Sequence, residues 1–345
     1  MNVLNSELYV NDLTRAVNAF DVKEIYGKNI VVTGGLGLIG SAIVDLLLWH
    51  NKINNANISI YVAARQEKVF DCKYKSFDNI YFVEYDALNT INFKFRPDYI
   101  IHCAGSASPE LYTSSPVETI LSNFNGVYNL LEFCKKNCVK RLLYVSSSEV
   151  YGNKLNEDAF VEYVYGNIDI DSIRSSYSVA KRASEMLCKS YSNEYNVNTV
   201  IVRPGHIFGP TASVNDKRIS SSFPFKAARG EKLEMKSAGL QKRSYCYCLD
   251  CAVAILVALV RGKYGEAYNI GHNEITTIRT MAEIVAEAAN VELITATPTE
   301  QELSSFNPMN NSSLNNEKIK ELGYSDTFTV FEGLSHTVQI LKEMI

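Results

Sequence analysis

Three glycines follow a short β-branched run near the beginning of this 345-residue chain. The run is Asn29–Thr33, and it leads into Gly34, Gly37 and Gly40, after which apolar residues recur at helical spacing. A strand that turns on glycines directly into a helix brings its backbone, and the unpaired N–H groups of the helix start, close to a pyrophosphate. The pattern therefore predicts a dinucleotide-binding loop between a strand and a helix.

Apolar strand-like runs alternate with helical patterns through the first two-thirds of the chain. The later runs lie at 58–62, 80–83, 99–101, 141–145 and 199–202. Several are apolar almost throughout, which is typical of parallel strands that are buried on both faces. With helical stretches near 116–136 and 177–195 between them, the alternation predicts an α/β fold of the Rossmann type, built on a doubly wound parallel sheet.

The composition changes after Pro204, where the segment 205–243 is rich in glycine, serine, proline and basic residues. We expect a dinucleotide-binding Rossmann domain over 28–204. A smaller substrate-binding region should occupy most of 205–345, with some of its segments returning to the Rossmann domain. Residues 1–27 form an N-terminal extension of helical character, to which we assign no chemistry.

Composition and charge argue against several classes of protein. The net charge is −4 and no Lys/Arg run occurs, so a nucleic-acid partner is not expected. The longest apolar run, 252–260, is too short to span a bilayer, and the first residues do not resemble a signal peptide. The eight cysteines lack the paired spacing of a zinc site, which indicates reduced thiols, no metal and a cytoplasmic protein.

The end of the second strand bears on which dinucleotide is bound. NAD sites prefer an acidic residue there, which accepts from the ribose 2′-hydroxyl, but this chain has Arg65. An arginine can pair with the 2′-phosphate of NADP, stack on adenine or face solvent, so NAD and NADP both stay open. We expect Leu38 and Ile39, at the start of the helix, to contact the same cofactor.

A tyrosine and a lysine are spaced to act together in the second half of the Rossmann segment. Tyr177 and Lys181 lie four residues apart, on one face of a predicted helix. An ammonium near a phenol lowers its pKa from about 10 towards neutrality. Such a tyrosine can remove a hydroxyl proton while the adjoining carbon gives a hydride to nicotinamide. The pair therefore predicts hydride chemistry, and we expect both residues to contact the cofactor.

Taken in order, these motifs resemble the extended short-chain dehydrogenase/reductase family of nucleotide-sugar epimerases, dehydratases and decarboxylases. The resemblance runs from about Lys28 to the C-terminal region, through the glycine loop and the segments 102–105, 146–149, 177–181 and 203–210. It implies that Asp86 approaches the adenine, and that Ala104 and Ser106 line the cofactor cleft. It also implies that Ser147 bonds the reacting hydroxyl of a nucleoside diphosphate sugar, which a tightly bound cofactor oxidises at C4 and later reduces.

Within that family, the segment Ser-Ser-Ser-Glu-Val-Tyr-Gly at 146–152 resembles UDP-glucuronate decarboxylases, as do 215–218 and 241–247. This resemblance implies that Arg218 and Arg243 hold the diphosphate or uracil end and the substrate near the reacting carbon. The planar fork of a guanidinium matches phosphate and carboxylate oxygens. Ser148 is expected to contact substrate, although dTDP-glucose dehydratases usually carry an aspartate at this place.

Glu149 is the residue that best separates the possible reactions. In a 4,6-dehydratase its carboxylate could take the C5 proton, which the C4 ketone acidifies. In a decarboxylase the ketone is the electron sink, so carbon dioxide leaves without a base and Glu149 orients the substrate or handles a later proton. A 4-epimerase needs no carboxylate here. The reaction predicted first is decarboxylation of UDP-glucuronate, with 4,6-dehydration and 4-epimerisation as alternatives, so the enzyme is expected to be a lyase or an isomerase.

Two positions depart from the family pattern. Family members usually carry asparagine where this chain has His206, and tyrosine where it has Phe208. Histidine donates one hydrogen bond and can titrate, so we expect His206 to contact substrate in a different way. These departures leave open a sugar or a nucleotide other than that of UDP-glucuronate.

Two further functional classes stay open, and the family resemblance also suggests a homodimer. A dehydrogenase that releases its reduced cofactor is one, and a catalytically inactive, dinucleotide-binding regulatory protein is the other. The family also commonly forms homodimers through the helices near 116–136 and 177–195. By that analogy, an apolar stripe for a dimer contact consists of Leu121, Phe124, Tyr128 and Leu131.

Overall fold

The structure is a computed structural model that describes residues 2–89, 91, 93–105, 107–154, 158–299 and 309–345. The strands are β1 Asn29–Thr33, β2 Ser59–Ala64, β3 Ile80–Glu84, β4 Tyr99–His102, β5 Arg141–Val145, β6 Thr199–Pro204, β7 His206–Phe208, β8 Leu233–Met235, β9 Lys242–Tyr247, β10 Ala267–Ile270, β11 Ile275–Thr277, β12 Leu293–Thr295 and β13 Asn311–Ser312. The helices are α1 Glu7–Ala19, α2 Leu38–Asn54, α3 Glu67–Tyr74, α4 Pro109–Ser114, α5 Pro116–Asn137, α6 Ser176–Tyr195, α7 Ile219–Ala228, α8 Cys248–Arg261, α9 Ile278–Ala289, α10 Glu317–Lys320 and α11 Val330–Met344.

Within these described ranges, seven parallel strands form the main sheet, in the order β10-β6-β5-β4-β1-β2-β3. The chain winds outward in one direction from β1 to β3 and in the other direction from β4 onward. The strand order therefore reverses between β1 and β4, and a crevice opens at the carboxyl ends of these two strands. The predicted doubly wound Rossmann sheet is confirmed.

The strands are apolar because both faces of the sheet are covered. In β1, Ile30 and Val32 belong to a core shared with α2 and α8, whereas Val31 belongs to the opposite core, with residues of α5. Alternate side chains of a strand point to opposite faces, so a run without polar residues is required where helices cover both. The apolar runs in the sequence thus report a sheet that is buried between two helical layers.

The region after β6 forms smaller sheets and also returns to the main sheet. β9 pairs with β7, β11 and β13, while β8 pairs with β12. β10 adds the last strand of the main sheet by pairing with β6. These connections place the β7–β9 segment beside the carboxyl ends of the main strands, where the family resemblance expects the substrate.

The N-terminal extension contains a helix that is anchored to the rest of the fold. The side chains of Tyr9 and Leu13 on α1 are fully buried against α2 and α8. The Tyr9 hydroxyl donates to Oδ2 of Asp45 on α2 at 2.9 Å, and the hydroxyl of Tyr74 on α3 donates to the other oxygen at 2.8 Å. Two hydrogen bonds thus satisfy a buried carboxylate.

The side chains of the dimer stripe expected on α5 differ in their exposure to solvent. Leu121 and Tyr128 are exposed, but Leu131 is fully buried in the core between α5 and the sheet. Leu131 therefore cannot contribute to a dimer contact, because its position on the helix faces the sheet.

No helix of the described residues is long and apolar enough to cross a membrane.

Candidate active site

A cavity of about 630 Å³ opens at the crevice between β1 and β4. Its walls come from the glycine loop after β1, from the ends of β2 and β3, and from the segment after β4. The predicted cofactor residues that line it are Gly34, Gly37, Arg65, Asp86 and Ala104. The lining thus includes the loop predicted to hold the pyrophosphate, the end of β2 predicted to lie near the ribose, and Asp86, which is expected near the adenine.

The glycine loop leaves no room for side chains. Gly34 has a φ of +66°, and a Cβ there would lie 2.9 Å from the backbone of Ala104. A Cβ on Gly40 would lie 2.2 Å from the carbonyl oxygen of Gly34, so the start of α2 packs directly on the loop. No side chain caps the first turn of α2, which begins after Gly37. The loop therefore offers unobstructed backbone and helix N–H groups, as a pyrophosphate requires.

The other predicted cofactor residues differ in what they can contribute. The side chains of Leu38 and Ile39 pack into the core and do not line the cavity, so only their backbone N–H groups are available. Arg65 has an exposed side chain at the rim, and Oδ1 of Asp86 accepts from the Leu88 N–H at 3.0 Å. Ser106 lies outside the described residues.

A second cavity, of about 220 Å³, adjoins the first, and Ala107 lines both. It brings together residues from α4, the segment after β5, α6, β7, α7 and β9, which are far apart in the chain. The predicted residues that line it are Ser147, Ser148, Glu149, Tyr177, His206, Arg218 and Arg243. Only the tertiary fold unites these seven positions.

Tyr177 and Lys181 occupy one face of α6, as their spacing predicts, but they do not interact as expected. The Lys181 ammonium donates to the Val145 carbonyl oxygen at 2.9 Å and lies 5.7 Å from the centroid of the Tyr177 ring. Burial lowers the pKa of Lys181 to about 8. Burial, with the nearby Glu149 carboxylate, raises the pKa of Tyr177 to about 12. The predicted lowering of the Tyr177 pKa by Lys181 is therefore not present in this arrangement.

Glu149 is held by an arginine that the sequence analysis did not single out. Arg174 donates to both carboxylate oxygens of Glu149, with N–O distances of 3.0 and 3.1 Å. Ser178 donates to Oε2 of Glu149 at 3.0 Å. The carboxylate is thus fixed by three hydrogen bonds in a site where both partners are largely buried.

Two further arginines, Arg218 and Arg243, line the second cavity. Arg218 is paired with Asp216, and its Nε lies 3.0 Å from Oδ1 of that carboxylate. Arg243 is only 3% exposed, and its guanidinium donates to the backbone carbonyls of Lys242 and Asn310. No carboxylate of the described residues lies within salt-bridge distance of Arg243. A buried guanidinium without an anionic partner is costly, and this indicates an anionic ligand.

Two polar side chains beside Arg243 also have unused hydrogen-bonding capacity. His206 and Tyr245 are register partners of β7 and β9, and their rings are 5.7 Å apart. In the described part of the chain, neither Nδ1 of His206 nor the hydroxyl of Tyr245 has a hydrogen-bond partner. Burial, together with Arg243 and Arg218, lowers the pKa of His206 to about 3. His206 is therefore neutral at physiological pH. The titration that the sequence analysis considered for this histidine does not occur in that range.

Tyr112, Arg174 and Tyr245 also line this cavity, and the sequence analysis did not single them out as site residues. A signal existed for Arg174, because it stands three residues before Tyr177 and so one helical turn away. Tyr245 lies two residues after Arg243, on the same face of β9. Tyr112 has no comparable local signal, since its contact with Tyr177 spans 65 positions of the chain.

Comparisons with known proteins show which family the chain resembles over most of its length. The model of the NAD-dependent epimerase/dehydratase family matches residues 30–271. UDP-glucuronic acid decarboxylase 3 of Arabidopsis thaliana is 32% identical over 273 residues, which cover 78% of either chain. UDP-glucuronic acid decarboxylase 1 of Xenopus tropicalis is 26% identical over 320 residues, covering 92% of this chain and 72% of that protein.

Solved structures share the fold at lower sequence identity. A dTDP-glucose 4,6-dehydratase from Bacillus anthracis, in complex with NAD, superimposes with a TM-score of 0.75 at 24% identity, covering 92% of this chain and 97% of that one. A UDP-glucuronic acid 4-epimerase from Bacillus cereus, in complex with UDP-glucuronic acid and NAD, gives 0.76 at 22%, covering 92% and 100%. At these identities the likeness establishes the fold alone.

Proposed function

Because the chain belongs to the NAD-dependent epimerase/dehydratase family, we propose that it modifies a nucleoside diphosphate sugar through a 4-keto intermediate, and that it decarboxylates UDP-glucuronate. The family membership supports an epimerase, dehydratase or decarboxylase acting on a nucleotide sugar. The choice among these three reactions rests on the second cavity. The curated relatives named decarboxylases favour the same choice.

The first cavity fits NAD. The close approach of Gly34 and Gly40 leaves space only for backbone, and the uncapped start of α2 faces the same loop. Gly37 and Ala104 would lie along the dinucleotide, with Asp86 towards the adenine end. Once bound, NAD supplies a nicotinamide ring that accepts a hydride from the sugar C4 and gives it back in the same cycle.

Ser147 and Tyr177 are the residues placed to handle the C4 hydroxyl. Both line the second cavity, next to the wall that it shares with the first. Ser147 would bond the hydroxyl oxygen, and the Tyr177 oxygen would take its proton as the C4–H bond gives up its electron pair. The positive charge of an oxidised nicotinamide nearby would favour the phenolate and offset the effect of burial on the Tyr177 pKa.

The observation that carries the proposal is the clamp on Glu149. Both of its oxygens accept hydrogen bonds from Arg174, and one also accepts from Ser178. A 4,6-dehydration needs a free base for the C5 proton, whereas decarboxylation does not. In a 4-keto glucuronate the bond from C5 to the carboxylate breaks, its electron pair passes to the ketone oxygen, and carbon dioxide leaves. A carboxylate that is fixed by three hydrogen bonds therefore suits decarboxylation better than 4,6-dehydration.

The arginines that line the cavity support a substrate with several negative charges. Arg243 is buried without an acidic partner in the described residues, and Arg218 lies in the same wall. A diphosphate or a sugar carboxylate would supply the missing anion. His206 and Tyr245, which line the same cavity, could add hydrogen bonds to its oxygens.

The test is incubation of the purified protein with UDP-glucuronate and NAD. We expect release of carbon dioxide and a UDP-pentose or UDP-4-keto-pentose in the mass spectrum. UDP-glucose, dTDP-glucose and GDP-mannose serve as parallel substrates. Loss of water from one of these hexoses, with no carbon dioxide from UDP-glucuronate, would assign the 4,6-dehydratase reaction instead, and inversion at C4 would assign an epimerase.

Two variants complete the experiment. Tyr177→Phe should lower the turnover number by roughly 10²- to 10⁴-fold, the usual contribution of a general acid–base residue. The matched control is Tyr81→Phe, because Tyr81 is exposed on β3, away from both cavities. Turnover at the wild-type rate in Tyr177→Phe would contradict the assigned mechanism. A demand for one added NADPH per product would favour a dehydrogenase that releases its cofactor.

A further inference from the structure

The ring of Tyr112 covers the ring of Tyr177. The two ring centroids are 4.4 Å apart and the planes are inclined by 6°, so the rings are stacked almost in parallel. Tyr112 is 3% exposed and Tyr177 is 5% exposed. The contact therefore removes most of the water from one face of the proposed proton acceptor and restricts the directions in which its ring can move.

The stack is fastened through the backbone as well. Tyr112 lies on α4, and its carbonyl oxygen accepts from the hydroxyl of Ser176 at 3.0 Å. Ser176 is the residue directly before Tyr177. The hydroxyl of Thr119 on α5 donates to the Leu111 carbonyl at 3.2 Å and ties α4 from the other side. The two tyrosines are thus held in register by bonds at the neighbouring residues.

The position of α4 places this stack at the junction of the two cavities. Ala107, just before α4, lines both of them, and Tyr112 lines the second together with Tyr177. The Cζ atom of Arg174 is 5.8 Å from the centroid of the Tyr112 ring, and the same guanidinium binds Glu149. Tyr112 therefore contacts both the proposed proton acceptor and the residue that clamps the carboxylate.

Burial makes both phenols of the stack hard to ionise. Burial, followed by the Tyr177 and Glu149 charges, raises the pKa of Tyr112 well above its ordinary value. Burial raises the pKa of Tyr177 to about 12, while the polar side chains of Ser147 and Tyr112 beside it act to lower it. Both phenols are thus neutral in the absence of ligands, and we take Tyr177, which lies beside Ser147, as the one that gives up its proton during the reaction.

We propose that Tyr112 is a positioning residue for the reaction: its ring fixes the orientation of Tyr177, and its hydroxyl donates a hydrogen bond to the Tyr177 oxygen when that oxygen is ionised. The inference rests on the proposed function only in that Tyr177 acts as the proton acceptor. Tyr112 itself transfers no proton. A hydrogen bond to a charged oxygen is stronger than one to a neutral oxygen, so it favours the phenolate selectively.

The test separates the ring from the hydroxyl. Tyr112→Phe keeps the stack and removes the donor, whereas Tyr112→Leu removes both. Tyr61→Phe is the matched control, because the Tyr61 ring is also stacked, 3.6 Å from that of Phe95, but lies away from both cavities. The rate of cofactor reduction in a single turnover is measured across the pH range, together with kcat and KM.

For Tyr112→Phe we expect about a tenfold lower rate of cofactor reduction at neutral pH and a shift of about one unit in the pH profile towards alkaline pH. The rate should recover at alkaline pH, and KM should stay within about twofold of the wild-type value. Tyr112→Leu should be slow at every pH, because the ring orientation is lost as well. A wild-type pH profile in Tyr112→Phe would overturn the proposal.

A second readout does not require turnover. Protein labelled with ¹³C at tyrosine Cζ is titrated in the presence of NAD, and the Tyr177 resonance is identified by its loss in Tyr177→Phe. Tyr112→Phe should move the Tyr177 titration to higher pH, while Tyr61→Phe should not. A shifted titration without turnover of any nucleotide sugar would support the role of Tyr112 and refute the proposed function. An unshifted titration would refute the role of Tyr112, whatever the protein turns over.

Discussion

Asp12 is one of the residues that connect the N-terminal helix to the C-terminal part of the chain. Its carboxylate is buried, and it lies 3.0 Å both from Nδ1 of His336 on α11 and from the Tyr247 hydroxyl at the end of β9. β9 also carries Arg243 and Tyr245, which line the second cavity. The extension is thus bonded to a strand of the candidate site, although it lines neither cavity itself.

This contact predicts a pH-dependent contribution to stability. The hydrogen bond to Asp12 raises the pKa of His336 above its ordinary value of 6.5, with further effects from Glu332 and Arg15. A group whose pKa is raised in the folded state stabilises fully below the unfolded value, and this contribution disappears as the pH rises through the folded value. His336→Gln should therefore destabilise by about 1 kcal/mol at pH below 6.5, and by progressively less above neutrality.

Urea unfolding of wild-type protein and His336→Gln at a series of pH values checks this prediction. The control is a double-mutant cycle, in which His336→Gln is also made in the Asp12→Asn background. There the histidine has lost its carboxylate partner, so the pH dependence of its contribution to stability should vanish. A difference between wild type and His336→Gln that grows with pH would contradict the assignment.

At the level of elements, α5 and α6 expose apolar side chains together. Leu121 and Tyr128 on α5 are 42% and 45% exposed, and Met186 on α6 is 63% exposed. The Tyr128 ring lies 6.5 Å from the ring of Tyr191 on α6, so the two helices present one continuous surface. Contiguous apolar surface of this kind is typical of a protein–protein contact.

We expect this surface to join two copies of the chain in a homodimer, as the family resemblance implies. Leu121→Glu combined with Met186→Glu would place charges in the contact and should convert the dimer to a monomer. Sedimentation velocity measures the change, and Leu240→Glu is the control because Leu240 is 69% exposed outside α5 and α6. A wild-type protein that sediments as a monomer would remove the basis for the prediction.

For the molecule as a whole, the segments after β6 and the Rossmann sheet are not separable. β10 pairs with β6 to complete the main sheet, and α8 shares a core with α2 and β1. The helix α1 packs against α2, α8 and α11. Removal of any of these parts would expose apolar surface on the others, which favours unfolding as a unit.

We therefore expect a single cooperative unfolding transition. The fluorescence of Trp49, the only tryptophan, reports on α2, while far-ultraviolet circular dichroism reports on the whole chain. The two urea curves should coincide and should move together to higher urea when NAD is added, because binding stabilises the folded state. Two separate transitions would show that the C-terminal region folds independently.

Much of the framework was already determined by the amino-acid sequence. The run at β1, the glycines after it and the apolar strands that follow depend on backbone geometry and on burial over a few residues, so they predicted the sheet and the first cavity. The four-residue spacing of Tyr177 and Lys181 likewise placed both on one face of α6. These features are local, and local periodicity is what a single sequence records.

The arrangement of the site was decided by the tertiary structure alone. The clamp of Arg174 on Glu149, the stack of Tyr112 on Tyr177 and the neutral state of His206 all depend on how distant segments pack and exclude water. A pKa reflects burial and neighbouring charges, and neither is encoded in the spacing of residues along the chain. The sequence thus pointed to candidate groups for the chemistry, while packing determined the hydrogen bonds and burial of each.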